Sequence, residues 1–260
     1  MLTIDRYLRA SSLEEAYEAA QKKNSAVLGG MLWLRLSHRH VSTAIDLSAL
    51  GLCGVEDLGD RYRIGAYTTL RMLETHEGLH RDFGGVIGDA LRDIVGVQFR
   101  NLATVGGSVF GRFGFSDVVT VFLALGASVE LYPSGTVSLE TFCGMRGVKD
   151  ILTHVILPKR QVRTAYRAMR NTATDFPSLN VCAVLAEDAL TVTVGARPLC
   201  AVAYRLPAAG AGTAEEIAEK IAKETVFASN SRASETYRRH LCRVLVARAV
   251  DDVYGKGGES

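Results

Sequence analysis

Five stretches of the chain carry apolar residues at intervals of three and four, the spacing that places them on one face of a helix. Two of these stretches open with a capping box, Ser12 with Glu15 and Thr213 with Glu216, which satisfies the free amides of a first helical turn. The pattern therefore predicts five helices, which begin after Ser12, at about residue 85, at Ser116 or Asp117, after Thr213 and near Tyr237.

Short runs of β-branched and aliphatic residues alternate with these helices and predict β-strands. A Pro-Ser-Gly turn at residues 133–135 separates two of the runs and indicates a hairpin. The predicted strands occupy residues 26–28, 41–47, 61–66, 128–132, 136–139, 155–157, 181–185 and 190–194. Helices and strands mixed in this order favour an α+β fold, and the basic stretch at residues 158–163 indicates a boundary between two units.

The composition narrows the class of function without naming one. The chain has 260 residues, of which 48% are hydrophobic and 22% are charged, values typical of a globular protein. The net charge of +2 is too small to indicate nucleic acid as the main partner. No apolar run reaches the roughly 18 residues that a membrane-spanning helix needs, and residues 1–9 lack the apolar core of a signal peptide.

The cysteines restrict the function further. There are five of them at wide spacings, and no Cys-x-x-Cys pair is present. A zinc site or an iron–sulfur cluster held by this chain alone is therefore not expected. The simplest interpretation is a set of small, buried, reduced thiols, which predicts a cytoplasmic protein.

Two Gly-Gly pairs are the main candidates for a binding site. Gly29 and Gly30 follow the predicted strand 26–28, and Gly106 and Gly107 follow the segment 100–105. We interpret both pairs as loops flanked by strand-like residues, in which amides converge on an anion because no Cβ blocks the approach. Two such loops would clamp a pyrophosphate from opposite sides.

Polar side chains near the second pair add to this hypothesis. Arg100 is a candidate phosphate ligand, and Thr104 and Ser108 offer hydroxyls beside the glycine amides. Asp117 can accept a hydrogen bond from a ribityl or ribose hydroxyl, or can simply begin a helix. A dinucleotide fits this set of groups. Neither pair matches Gly-x-Gly-x-x-Gly and no Gly-Lys-Ser/Thr is present, so Rossmann and P-loop sites fit poorly.

The joint order of the motifs resembles the FAD-binding medium subunit of the molybdenum hydroxylases, the family that contains xanthine dehydrogenase and carbon monoxide dehydrogenase. The resemblance covers nearly the whole chain, and its most specific motif is Arg100-Asn101 followed by Thr104-Val105-Gly106-Gly107. The segments that carry it are residues 28–30, 45–47, 64–70, 100–107, 124–127, 150–158 and 232–241.

The resemblance implies an architecture and a function. The fold would be α+β, with a two-lobed FAD-binding domain of the PCMH/vanillyl-alcohol-oxidase-like type at residues 1–160 (lobes at about 1–55 and 56–160) and a small α/β C-terminal domain at residues 161–260. FAD would bind to this chain, while iron–sulfur clusters and molybdopterin would belong to a small and a large partner subunit. Electrons would pass from the clusters through FAD to NAD, oxygen or another acceptor.

The resemblance also implies roles for individual residues. Main-chain amides around the two Gly-Gly pairs would hold the pyrophosphate, Asp117 would contact the sugar alcohol, and Leu152 would lie against the isoalloxazine. Arg167 falls where many members have a lysine near the flavin. The expected cofactor-binding residues are Leu28, Gly29, Gly30, Met31, Leu32, Arg100, Asn101, Thr104, Gly106, Gly107, Ser108, Asp117, Leu152 and Arg167. No catalytic side chain and no metal ligand is expected.

Departures from the family pattern leave an alternative open. The family usually has a polar residue after the first Gly-Gly pair, whereas this chain has Met31 and Leu32, and Ser108 replaces the common asparagine. Backbone donors survive these changes, but a side-chain contact to phosphate is lost. The alternative is a degenerate subunit that has lost FAD and serves as a scaffold.

A second alternative comes from a competing motif. His76-Glu77-Gly78-Leu79-His80 matches His-Glu-x-x-His, the helix signature of zinc hydrolases, in which two histidines on one face bind the metal. Glycine within a helix costs about 1 kcal/mol relative to alanine, so Gly78 disfavours the required helix. We therefore prefer the flavoprotein interpretation.

Overall fold

The computed structural model describes residues 1–255, which form three β-sheets with helices packed between and upon them. The first sheet is parallel and has the order β1-β3-β2, with one helix, α1, packed against β2 and β3. These elements are β1 (Thr3–Arg9), α1 (Leu13–Gln21), β2 (Ser25–Val27) and β3 (His40–Asp46).

The second sheet is antiparallel with the order β4-β5-β8-β6-β7, and six short helices connect β5 to β6. The strands are β4 (Val55–Asp57), β5 (Arg61–Gly65), β6 (Ser128–Tyr132), β7 (Gly135–Ser138) and β8 (Ile151–Pro158). The helices are α2 (Leu70–Glu74), α3 (Glu77–Asp82), α4 (Val86–Leu91), α5 (Val97–Leu102), α6 (Val105–Phe110) and α7 (Asp117–Ala124), and α8 (Leu139–Gly144) follows β7.

The third sheet is antiparallel with the order β12-β11-β10-β9, and two helices follow it in the chain. Its strands are β9 (Arg163–Arg170), β10 (Pro177–Leu185), β11 (Ala189–Gly195) and β12 (Val202–Pro207). The helices are α9 (Ala214–Glu224) and α10 (Glu235–Tyr254), and α10 packs on β9 and β10. The mixture of helices and sheets confirms the predicted α+β class.

All nine residues of β10 are buried because the strand lies between two helices, α10 on one face and α7 on the other. Successive side chains of a strand point to opposite faces. Val181 and Ala183 accordingly join the core that contains α10, while Cys182 and Val184 join the core that contains α7. The predicted boundary at residues 158–163 lies between β8 and β9, and the division into domains 1–160 and 161–260 stays a prediction.

The predicted helix starts are confirmed at Ser12, Ser116 and Thr213, whose hydroxyls each accept a hydrogen bond from the backbone N–H three residues later. The full capping box is present at Thr213. At Ser12 only half of the box forms, because the Glu15 carboxylate instead accepts from the N–H of Ser11 at 2.8 Å. Among residues 1–255 no helix is long and apolar enough to cross a membrane.

Candidate binding cleft

A cleft of about 890 Å³ opens where the three sheets and their helices meet. Its walls come from residues 22–34, from the α5–α7 region, from residues 148–152 and from residues 170–176. Eleven of the fourteen predicted cofactor-binding residues line it: Leu28, Gly29, Gly30, Met31, Leu32, Thr104, Gly106, Gly107, Ser108, Asp117 and Leu152. The other three, Arg100, Asn101 and Arg167, do not line the cleft.

The first Gly-Gly pair follows β2. At Leu28, directly before the pair, the backbone N–H still donates to Ile45 O at 2.8 Å. Beyond that point the N–H groups at positions 29–32 donate no hydrogen bond to any atom of residues 1–255. Met31 has a φ of +57°, the left-handed conformation that turns successive amides toward one side. Residues 29–32 therefore present a row of free donors in the wall of the cleft, and we call this row the amide nest.

Gly30 has a conformational reason to be glycine. A Cβ at this position would lie 1.9 Å from the carbonyl oxygen of Leu102, closer than any real contact permits. A Cβ on Gly29 would similarly lie 2.8 Å from Oγ1 of Thr104. The missing side chains thus allow the amide nest to pack directly on the segment that precedes α6.

The second Gly-Gly pair differs from our prediction, because it forms the first turn of α6 and not a loop between strands. The N–H of Gly106 donates to Ala66 O at 2.8 Å, and that of Gly107 donates to Oγ1 of the N-cap Thr104 at 3.2 Å. Both amides therefore have acceptors within the protein, and their predicted donation to a pyrophosphate is corrected on this ground. A Cβ on Gly106 would lie 2.8 Å from the Cβ of Ala66, so glycine serves close packing here.

Tyr67, to which the sequence analysis assigned no role, fixes the entry to the amide nest. Its hydroxyl donates to Leu28 O at 2.5 Å and accepts from the N–H of Leu47 at 2.9 Å. Burial raises the pKa of Tyr67 to about 12, so the phenol keeps its proton at neutral pH. Tyr67 lies within the motif 64–70. Its hydroxyl bonds to residues that are distant in sequence, so the motif alone did not indicate this role.

Asp117 is a buried carboxyl at the first turn of α7, in the wall of the cleft. Its Oδ1 accepts from the hydroxyl of Tyr166 and, at 2.8 Å, from the amide of Asn180, while no residue of 1–255 donates to its Oδ2. Burial raises the pKa of Asp117, and the Arg170 guanidinium, 3.1 Å away, opposes that rise. Asp117 therefore joins α7 to the third sheet and keeps one oxygen for another donor.

Arg170, and not Arg167, is the arginine of β9 that faces the cleft. The two are three positions apart on a strand and so point to opposite faces. Arg167 is half-exposed and pairs with Asp252 of α10 at 2.6 Å. Arg170 is buried, and although its Nη2 lies 3.1 Å from Asp117, that nitrogen has no aligned hydrogen-bond acceptor. Strand alternation would have identified Arg170, had β9 been predicted from the sequence.

Arg100 is buried away from the cleft and holds two helices together. Its guanidinium donates to both carboxylate oxygens of Glu74, at 2.8 and 3.1 Å, and to the carbonyl of Ile94 at 3.0 Å. These bonds leave Arg100 no path to a ligand in the cleft, so its prediction as a phosphate contact is corrected. Asn101, its exposed neighbour on α5, also lies outside the cleft.

An aromatic cluster forms part of the wall of the cleft, which Leu152 also lines. The ring of Trp33 is 5.5 Å from Phe176, 5.8 Å from Phe115 and 6.1 Å from Phe113. Trp33 keeps 44% of its surface exposed, so it is part of the wall and not of the core. The sequence analysis did not identify this cluster, because its rings come from three separate segments of the chain.

The His-Glu-x-x-His motif does not form a metal site. His76 is the N-cap of α3, and its Nδ1 accepts from the N–H of Leu79 at 3.2 Å instead of facing His80 across a helix turn. Within residues 1–255 no group of three or more His, Cys, Asp or Glu side chains is arranged to hold a metal ion. The geometry gives the zinc hydrolase hypothesis no support.

Comparison with known proteins gives a consistent result. Residues 2–160 match the family model of the FAD binding domain in molybdopterin dehydrogenase. The chain is 25% identical to the nicotine 6-hydroxylase medium subunit of Paenarthrobacter nicotinovorans, over 94% of this chain and 95% of that protein. It is also 25% identical to the glyceraldehyde dehydrogenase medium chain of Sulfolobus acidocaldarius, with coverages of 95% and 97%.

The fold has solved counterparts. A carbon monoxide dehydrogenase chain from Hydrogenophaga pseudoflava superposes with a TM-score of 0.83 at 19% sequence identity, covering 96% of this chain and 97% of that one. At this identity the match establishes a shared fold, which extends over all three sheets.

Proposed function

Because this chain belongs to the family of FAD-binding domains of molybdopterin dehydrogenases, we propose that it is the medium subunit of a molybdenum-containing dehydrogenase and passes electrons from iron–sulfur clusters on a partner subunit through FAD to NAD, oxygen or another acceptor. The family resemblance stated from the motifs, and FAD as the expected cofactor, are confirmed by the family match. The electron path, its acceptor and the residues that hold FAD belong to the proposal.

The observation that carries the proposal is the amide nest. Consecutive free N–H groups at positions 29–32 suit an anion with several oxygens, and the pyrophosphate of FAD is such a group. The contacts need only backbone donors, so Met31 and Leu32 are compatible with binding although the family pattern has a polar side chain there. The volume of about 890 Å³ lies within the range of roughly 300–1,000 Å³ found for ligand sites.

Two further groups would orient the cofactor along the cleft. The free Oδ2 of Asp117 would accept from a hydroxyl of the sugar alcohol, as predicted, and Arg170 would supply the cation that we had assigned to Arg167. When bound, FAD supplies a ring that takes up and releases electrons. The Arg170 guanidinium contacts Asp117 at 3.1 Å and donates to Asp175 O at 2.6 Å, and its positive charge in the cleft wall would stabilise an anion bound there.

The relatives support the proposed partners. Both are named as the medium member of an enzyme, nicotine 6-hydroxylase in one case and glyceraldehyde dehydrogenase in the other. We propose by analogy that this chain also assembles with a small iron–sulfur subunit and a large molybdopterin subunit. Co-purification with the products of neighbouring genes, followed by a cofactor inventory, tests this assembly.

Titration of the purified full-length chain with FAD tests the cofactor site. We expect saturable binding, seen as a shift of the visible flavin spectrum, and a protein that cannot take up FAD would contradict the proposal and favour the scaffold alternative. In the co-purified complex, anaerobic addition of NADH should reduce the bound flavin if NAD is the acceptor. If NADH does not reduce the flavin, rapid reoxidation in air of flavin that dithionite has first reduced would point to oxygen.

Two variants decide which arginine serves the cofactor. Arg170→Gln should weaken FAD binding about tenfold or more, because it removes a charge-assisted bond worth roughly 1.5–3 kcal/mol. Arg167→Gln breaks a half-exposed ion pair with Asp252 and should leave the affinity within about twofold of the parent value. The matched control is Arg243→Gln, whose partner Glu219 is remote from the cleft wall. The opposite order of effects would restore the assignment to Arg167.

A further inference from the structure

Arg232 connects the segment before α10 to the wall of the cleft, although it does not line the cleft itself. Its Nη2 donates to Oδ1 of Asp175 at 3.1 Å, and its Cζ lies 4.8 Å from the ring centroid of Phe176. One guanidinium thus forms an ion pair with one residue and a cation–π contact with the next. Both of these partners are part of the cleft wall.

The backbone around Arg232 is held by a buried arginine of α10. Arg238 is 1% exposed, and its guanidinium donates to the carbonyls of Ala228 and Ala233 at 2.7 and 2.6 Å. It also donates to Oδ1 of Asn230 at 2.7 Å, and the same oxygen accepts from the backbone N–H of Arg232 at 3.0 Å. The Arg232 side chain therefore extends toward the cleft from a backbone that is fixed on the third sheet and its helices.

The loop between β9 and β10 depends on contacts of this kind. It includes Thr174 at a φ of +65°, a left-handed conformation that is unfavourable for a β-branched residue. Two arginines hold the next residue, since Arg170 donates to the carbonyl of Asp175 at 2.6 Å and Arg232 donates to its carboxylate. The hydrogen bond from Arg232 also holds the pKa of Asp175 below its ordinary value. The carboxylate in turn accepts from the N–H of Phe176 at 2.7 Å, which fixes the backbone that carries this ring.

Phe176 joins this loop to the aromatic cluster. Its ring centroid lies 4.3 Å from that of Phe115 and 5.5 Å from that of Trp33. Aromatic pairs at such distances contribute free energy beyond the area that they bury. Displacement of Phe176 would leave Trp33 without its closest ring and would open this side of the cleft wall.

We propose that Arg232 is a positioning residue of the cleft, which holds Phe176 against Trp33 and so completes an aromatic wall shaped for a flat ring. The ion pair, the cation–π contact and the buried arginine that fixes the backbone carry this proposal. The effect on the wall does not depend on a cofactor. The identification of the flat ring as the isoalloxazine of FAD rests on the proposed function.

The emission of Trp33, the only tryptophan of the chain, tests the wall in the full-length protein without FAD. In Arg232→Gln the Phe176 ring loses its cation, and Trp33 should become more accessible to the quencher acrylamide. Because 44% of the Trp33 surface is exposed in the packed wall, we expect the quenching constant to rise by up to about twofold. An unchanged quenching constant would overturn the proposal.

Arg239→Gln is the matched control for this variant. Arg239 lies 5.2 Å from the ring centroid of Phe227 and pairs with Glu235 at 2.9 Å, so it makes the same two kinds of contact. Neither Arg239 nor Phe227 lines the cleft. The quenching constant of Trp33 should therefore stay at the parent value, and a rise equal to that of Arg232→Gln would refute a specific effect on the wall.

A double-mutant cycle tests whether Arg232 acts through Phe176. Phe176→Leu should itself raise the quenching constant of Trp33, and Arg232→Gln should add nothing in that background, because no ring is left to hold. Additive effects of the two changes would show that Arg232 acts by another route and would refute the proposal.

Titration with FAD then tests the role of the wall in binding. We expect the dissociation constant of Arg232→Gln to lie about three- to tenfold above the parent value, which is the size of one aromatic contact. Equal dissociation constants would overturn the part of the proposal that concerns the cofactor ring. A parent protein that does not bind FAD would refute the proposed function, whereas the quenching of Trp33 would still decide whether Arg232 holds the wall.

Discussion

The two Gly-Gly pairs have the same sequence pattern and opposite uses. At positions 29–32 the backbone N–H groups have no acceptor within residues 1–255, whereas in α6 the amides of Gly106 and Gly107 are bonded to Ala66 and Thr104. The difference arises from residues that are distant in sequence, because Ala66 O reaches one pair and no carbonyl reaches the other. A glycine pair therefore predicts a close approach, but only the tertiary structure tells whether amides remain free for a ligand.

The largest effect should come from Gly30→Ala. The new Cβ would lie 1.9 Å from Leu102 O, so the amide nest must move away from the segment before α6. Overpacking of this kind costs about 3 kcal/mol, and we expect a loss of that size in the free energy of unfolding measured with urea. Because the nest itself shifts, FAD affinity should fall in the folded fraction as well.

Gly144→Ala is the matched control for this variant. Gly144 lies at the end of α8, and a Cβ there would meet no atom within 4 Å. Its effect on unfolding should stay within about 0.5 kcal/mol, as for most surface changes. If Gly30→Ala is as stable as this control, the close packing of the amide nest on Leu102 is not real.

Gly106→Ala should have the second largest effect and separates stability from binding. Its Cβ would lie 2.8 Å from the Cβ of Ala66 and 2.9 Å from its carbonyl oxygen, so we expect a loss of about 2 kcal/mol in the free energy of unfolding. The amide of Gly106 is not free, and FAD affinity in the folded fraction should therefore be retained. If Gly106→Ala instead weakened FAD binding strongly without lowering the free energy of unfolding, the second pair would take part in FAD binding and would not differ from the first.

Local signals account for the parts of the molecule that the sequence predicts well. The starts of α1, α7 and α9 follow from side chains that cap their own backbone, a contact that spans three residues. Two of the strands that the sequence analysis missed, β1 and β9, are rich in charged residues. β1 and β9 contain five arginines between them, which interrupt the apolar pattern that marks the other strands: Arg6, Arg9, Arg163, Arg167 and Arg170.

The candidate site shows the same limit. The motifs placed eleven of the fourteen expected residues in the cleft wall, yet they could not show that Arg100 is engaged by Glu74 from α2. The cation was assigned to Arg167 from the family resemblance, whereas in the structure Arg167 pairs with Asp252 and Arg170, on the opposite face of β9, lines the cleft. The aromatic cluster joins segments from three parts of the chain, so no local pattern could have indicated it.

Tyr67→Phe tests the anchor of the first pair. The variant loses the donor to Leu28 O and the acceptor for the N–H of Leu47, which should cost about 1.5 kcal/mol in the free energy of unfolding. FAD affinity should fall by a few-fold because the entry to the amide nest loosens. An unchanged affinity would mean that the nest holds its shape without the phenol.

The effect of Tyr67→Phe on the free energy of unfolding should depend on pH. The pKa of Tyr67 is raised from 10.0 to about 12 by burial, so the folded protein holds this proton more tightly than the unfolded chain does. The stability that the phenol contributes is present below pH 10 and declines as the pH rises toward 12. Unfolding curves of the parent and of Tyr67→Phe should therefore converge over that range, and curves that stay parallel would contradict the assigned proton.

Thr104→Ala should have the smallest effect. It tests whether the second Gly-Gly pair, with one amide freed, comes to resemble the first. The change removes the N-cap of α6 and frees the N–H of Gly107, which costs about 1 kcal/mol in the free energy of unfolding. Thr104→Ser keeps the capping oxygen and should remain within about 0.3 kcal/mol of the parent. If the hydroxyl only caps the helix, FAD affinity is maintained in Thr104→Ala, because the lost oxygen makes no contact with the cofactor. A clear loss of affinity that serine restores would instead make Thr104 a direct cofactor ligand, and the second pair would then contribute to binding through its side chain and not through its amides.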